Sequence, residues 1–220
     1  MPDLVFLPVL FYGCRPSAIN SLLEEDKCRQ QQITGALLMM QYAFETWAKE
    51  NDIQKPLQRP EDVPVLYDIF ISLFKLLRND DILACFSAAW CIAWSGYNRS
   101  DIIPARLLPD MADKLVALWI GKENPYNLKR AISWALFSIC SPSLRVREID
   151  GLPETIETNL GTPQNEFDEL AAVHLSILIG RWTKEDFRKW LNKEPLHEGI
   201  FPRRESRFLK EMGYFENGQG

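Results

Sequence analysis

Histidine is scarce in this chain: only His174 and His197 occur among its 220 residues. His174 sits on an apolar helical stripe with no Cys, Asp or Glu four residues away along it, so a hydrogen-bonded structural role is expected rather than metal ligation or base catalysis. His197 lies in a proline-containing turn, where a solvated imidazole is expected. With no His-x-x-x-His pair and no Cys/His cluster, zinc is not expected, and no cofactor is implied. The five cysteines (Cys14, Cys28, Cys85, Cys91 and Cys140) include no Cys-x-x-Cys pair. Three of them, Cys85, Cys91 and Cys140, fall in apolar helical stretches, where a thiol packs as a small hydrophobe, and an intracellular reducing compartment follows from that. Gly-x-Ser-x-Gly elbows, Walker-type phosphate loops and Gly-x-Gly-x-x-Gly stretches are also missing, which removes the best-marked hydrolases and nucleotide binders. A non-catalytic protein is expected.

Long hydrophobic runs are absent as well. The uncharged stretch Ile82 to Gly96 is shorter than the roughly 20 residues a spanning helix needs. The opening MPDLVFLPVLFYG carries an acid and no base, so it fails the signal-peptide pattern. No membrane contact is expected, and the cytoplasm is the default compartment. Nor is there an excess of positive charge: 25 Lys and Arg stand against 30 Asp and Glu, a net charge of −5. Such a chain is not built around the counterion release that dominates nucleic-acid affinity. Its largest basic group is Arg203, Arg204, Arg207 and Lys210, with Arg145 and Arg147 a smaller one. Glu205 and Glu211 interrupt the first group, which favours a solvated face; contact with a polyanion through residues 203–210 is the alternative. The acid pairs Glu24 with Glu25 and Asp80 with Asp81 fall at helix ends, where capping or solvation is expected.

What the chain does have is helical periodicity. Its hydrophobic fraction of 46% and charged fraction of 25% are those of a globular protein, and a chain of this size buries roughly 70% of its unfolded surface. A helix is expected to start at Pro16 or Ser17 and run towards residue 50. Its stripe is Ile33, Leu37, Met40, Phe44 and Trp47, and Gly35 on the flank lets another backbone come close. Pro56, Pro60 and Pro64 mark a linker. Further helices are expected over 64–78, 81–95, 105–120, 126–140 and 165–181. Thr183 and Asp186 have capping-box spacing ahead of Phe187, Trp190 and Leu191. A last short helix is expected near 204–212. Residues 141–165, broken by Pro142, Gly151, Pro153, Gly161 and Pro163, predict an inserted loop or a short helical turn. No strand pattern is sustained anywhere.

One passage nearly recurs. Residues 65–97 share their apolar pattern with residues 109–141, and superposing them places Trp90 on Trp134, 44 positions apart (134 − 90). Polar breaks align too: Asn79, Asp80 and Asp81 against Glu123, Asn124 and Pro125. A period of about 40 to 47 residues is that of stacked helix pairs, because one pair cannot bury its apolar face alone. Both 81–95 and 126–140 are apolar over so wide an arc that neighbours on two sides are expected. Trp90 and Trp94 lie one turn apart, and with Trp134 they serve either as packing between layers or, where Trp94 faces a groove, as a binding anchor.

The strings SAAWCIAWSGYN after LFKLLRNDD, and AISWALFSIC after LVALWIGKEN, resemble the armadillo/HEAT superfamily. The resemblance implies an all-α, right-handed stack of antiparallel helix pairs, an α-solenoid of about four to five pairs. It covers residues 62–141 best. Residues 1–220 then form a single helical domain: 1–50 as N-terminal helices with a cap as one role, 165–213 as C-terminal helices, and 214–220 as a frayed tail. The function implied is scaffolding by binding another macromolecule, with a protein partner first and nucleic acid second; partner contacts are placed on Trp90, Trp94, Trp134 and Ser138. Trp94 and Ser138 stand where importin-type peptide binders carry asparagine and where HEAT-like DNA glycosylases carry aspartate. The chain is also similar to helical sensor segments of bacterial NACHT-type ATPases, which implies membership of a larger signalling or defence assembly.

Overall fold

The computed structural model describes residues 15–50, 62–78, 80–99, 102–121, 123–139, 150–165 and 167–191. Among these residues the protein is all-α. The helices are α1 (Pro16–Leu23), α2 (Arg29–Glu50), α3 (Asp62–Leu76), α4 (Ile82–Arg99), α5 (Leu108–Ile120), α6 (Tyr126–Ile139), α7 (Leu152–Gly161), α8 (Asp168–Leu178) and α9 (Lys184–Leu191), with a short 3-10 turn at Ala105–Leu107.

The single helix expected from residue 16 to residue 50 is in fact two. Glu24, Glu25 and Asp26 would place three negative charges at the C-terminal end of α1, against its dipole, and the backbone turns extended at Glu24 (ψ 148°). Gln31 Oε1 then accepts from Cys28 N at 3.1 Å, and Gln32 Nε2 donates to the Glu24 carbonyl at 3.0 Å. These bonds close the elbow and open α2. The buried side of α2 is Ala36, Met39, Met40 and Ala43, while Leu37 is 39% exposed. The stripe therefore keeps Met40 but turns away from Leu37, with Leu38 buried as well. The side chains of Phe44 and Trp47 lie outside the described residues. At Gly35 side chains rather than another backbone come close: a Cβ there would sit 2.8 Å from Leu23 Cγ.

Inside 141–165, where a loop or a brief turn was expected, α7 runs for ten residues. Gly151 takes φ +82° as its N-cap, and Pro153 falls in the first turn. There a missing N–H costs nothing. Proline and glycine thus frame this helix instead of breaking it.

Each helix packs on particular neighbours. α1 lies on α2 and α3, α4 on α2, α3 and α6, α6 on α5 and α8, and α7 on α8 and α5. Arg29 at the start of α2 pairs with Asp81 at the start of α4, so these two run in the same sense. Asp81 also caps α4, its Oδ1 accepting from Ala84 N at 2.7 Å. α4 fits between α2 and α6 because Ala84, Cys85, Ala88, Ala89 and Ala93, all buried, keep its sides narrow. At Gly96 the approach is closest: a Cβ would stand 2.8 Å from Ile139 Cγ2 and 3.2 Å from the backbone of Ser138. α6 is buried without interruption from Ala131 to Ile139. The capping box at α9 forms reciprocally, Thr183 N donating to Asp186 Oδ2 at 2.9 Å and Asp186 N to Thr183 Oγ1 at 3.2 Å.

Candidate functional site

Trp134 of α6 is the centre of an aromatic cluster drawn from three helices. Trp90 and Trp94 sit one turn apart on α4, so both meet the same ring in edge-to-face geometry. Their centroids lie 4.7 Å and 5.1 Å from that of Trp134, at 69° and 68°. On its other side Phe167, at the start of α8, stacks on Trp134 at 5.2 Å and 8°. Edge-to-face and stacked pairs of this kind each contribute about 0.5–1.5 kcal/mol beyond the area they bury. Trp134 itself ends up only 9% exposed.

The cluster reaches the surface through its rim. Phe86, one turn before Trp90, stacks on it at 6.0 Å, and the Arg130 guanidinium lies 5.6 Å from the ring centres of both Trp90 and Phe167. That geometry is a cation–π contact on two rings at once. Phe86, Trp90, Trp94, Arg130 and Phe167 are all half-buried. Next to them Ile82 and Leu83 are 54% and 55% exposed. Ile82, Phe86, Trp90 and Trp94 follow one another at four-residue intervals, which makes a row about 18 Å long at 1.5 Å per residue.

A buried carboxylate holds this face from beneath. Asp168 is 1% exposed, and its Oδ1 accepts from Trp119 Nε1 at 3.1 Å and from the Ser133 hydroxyl, while Oδ2 accepts from Gln164 N at 2.9 Å. Three donors satisfy a charge that would otherwise be costly to bury. They join α5, α6 and the approach to α8, and so fix Phe167, the residue before Asp168.

The residues singled out from the sequence fare differently. Trp90, Trp94 and Trp134 are brought together. Ser138 is 2% exposed and packed under Gly96 where α4 crosses α6. Arg203, Arg204, Arg207, Lys210, Arg145, Arg147 and His197 lie outside the described residues. His174 is 2% exposed with its ring 4.5 Å from that of Phe137, within the core. Burial pushes the Cys91 thiol up to about 12, the Ser95 hydroxyl opposing, and burial also raises that of Cys85. Both are packing thiols. Arg130 was not foreseen, and Phe86 was read only as part of the wide apolar arc of 81–95; each stands one turn before a tryptophan of the cluster. Phe167 and Asp168 come from a distant helix, and no spacing signals them.

A concavity of about 280 Å³ lies between α7 and α9, lined by Leu160, Trp182, Asp186, Lys189 and Trp190. Trp190 Nε1 donates to Glu169 Oε1 at 2.7 Å. Among the described residues no group of three or more His, Cys, Asp or Glu could hold a metal ion, and no helix is long and apolar enough to cross a membrane. No family model, curated protein or solved structure matches the chain.

Proposed function

We propose that this chain is a helical-repeat binding module of the HEAT/armadillo kind, an α-solenoid that holds another protein as part of a larger assembly and performs no catalysis itself. The order of packing supports the architecture. Pairs α1/α2, α3/α4, α5/α6 and α7/α8 follow in sequence, with α2, α4, α6 and α8 side by side in one row. Trp90 and Trp134, aligned by their 44-residue offset (134 − 90), touch where α4 meets α6.

The observation that carries the binding function is the half-exposed row Ile82, Phe86, Trp90 and Trp94 with Arg130 at its side. Tryptophan and arginine dominate the energetics of protein interfaces, where a desolvated anchor is ringed by weaker contacts. A row of large apolar side chains left at the surface fits such an anchor. Affinity capture with the full chain tests this. Proteins recovered by the wild type should be lost with Leu83→Ser combined with Phe86→Ser, and kept with Asp110→Asn on α5. Recovery that ignores the α4 substitutions would overturn the assignment.

A further inference from the structure

Trp182, in the turn before α9, and Trp190, on that helix, both line the concavity of about 280 Å³ between α7 and α9. Trp182 is half-buried and Trp190 buried. Their ring centroids lie 6.4 Å apart with the planes tilted by 60°. Leu160 of α7 adds a third apolar wall, and Asp186 and Lys189 complete the lining. Pockets that enclose drug-sized ligands measure roughly 300–1,000 Å³, so the fitting occupant here is a single head group or the tip of one side chain.

The charges around the concavity do not cancel. Lys189 is held by Glu185 at 2.8 Å, and Arg181, next to Trp182, by Glu157 at 3.2 Å. Asp186 is anchored instead by neutral donors, Thr183 N at 2.9 Å and the Thr183 hydroxyl at 2.7 Å, both on Oδ2. A carboxylate offers about four lone-pair sites, so two such bonds leave its charge and much of its acceptor capacity in place. A second carboxylate, Glu169, accepts from Trp190 Nε1 at 2.7 Å. An anion at the N–H edge polarises the indole and makes its face more attractive to a cation.

The lining also selects among cations. A bare ammonium carries three donors that need acceptors, and beyond Asp186 two indoles and a leucine offer none. Methyl groups remove those donors and keep the charge. A methylated ammonium between centroids 6.4 Å apart comes within the roughly 6 Å reach of both rings. We infer that the concavity between α7 and α9 binds a methylated ammonium group, with Trp182 and Trp190 as its aromatic walls and Asp186 as its counter-charge. A trimethylated lysine side chain and a free choline-type molecule share this chemistry. The inference does not depend on the α4 row.

Titrating the full-length chain with choline, with a trimethyllysine peptide and with the same peptide unmethylated tests it. Binding is read from the indole Nε1–H NMR signals of Trp182 and Trp190. Both methylated probes should shift these two signals, and the unmethylated peptide should bind at least about tenfold more weakly. Trp182→Leu should abolish the response. Lys189→Gln, at an exposed position, removes the opposing charge and should tighten binding about threefold, a gain that a misfolded variant does not give. Tighter binding of the trimethyllysine peptide than of choline would support the inference with a protein side chain as the ligand; the reverse order would support it with a free ligand. No shift with either methylated probe, equal binding of the methylated and unmethylated peptides, binding retained by Trp182→Leu, or no gain from Lys189→Gln would overturn it.

Discussion

The indole Nε1 of Trp119 donates to Asp168 Oδ1 at 3.1 Å, tying α5 to α8 through a carboxylate that is 1% exposed. Ser133 reaches the same oxygen from α6. Asp168→Ala leaves these donors buried without an acceptor, and hydrogen bonds to a charged group are the more expensive ones to lose. The expected destabilisation is on the order of 3 kcal/mol. Urea unfolding should show a lower midpoint with an unchanged slope, since the denatured chain exposes the same surface. An unaltered midpoint would mean that the three-helix tie is not formed.

Gly96 offers a test in the opposite sense to the usual rule. In a helix interior Gly→Ala normally gains about 1 kcal/mol. Here a Cβ would fall 2.8 Å from Ile139 Cγ2 and 3.2 Å from the Ser138 backbone. Only the side chain can yield. Gly96→Ala is therefore expected to cost about 1–3 kcal/mol by overpacking, with part of that recovered when Ile139→Val is added. Thermal unfolding of the two single variants and the double variant checks both statements.

The turn before α9 ties acidity to helix stability. Thr183 holds the Asp186 carboxyl below its ordinary value of 3.8, first through its hydroxyl and then through its backbone N–H. A depressed folded value means the contribution is present above that ordinary value and is lost as pH falls through the lower one. Carboxyl carbon NMR should show Asp186 titrating low in the wild type and rising towards 3.8 in Thr183→Ala. A titration unmoved by the substitution would contradict the cap.

Much of the helical order was legible because its signals are local. The Thr183/Asp186 spacing, the polar stop at Asp81 and the widely apolar 126–140 segment each mark structure within one or two turns. The elbow at residues 24–28 was missed because Leu22 and Leu23 keep the apolar period while the acids end the helix. α7 was missed because Gly151 and Pro153 read as breakers, although both are favoured at a helix start. Of the aromatic face, the part that repeats at a fixed offset, Trp90 and Trp134, could be paired from the sequence. Phe167 and Asp168 could not, since they reach the cluster through tertiary packing of α8. The burial of Ser138 could not be read from its alignment with Trp94, because the crossing of α4 and α6 at Gly96 decides it.

Trp90 and Trp134 act as one packing unit between α4 and α6, and a double-mutant cycle measures that directly. Unfolding free energies of the wild type, Trp90→Leu, Trp134→Leu and the double variant should reveal a coupling of about 0.5–1.5 kcal/mol, as expected for edge-to-face rings with centroids 4.7 Å apart. Losses that simply add, to within about 0.3 kcal/mol, would show that the two indoles do not share an environment and would contradict the central claim.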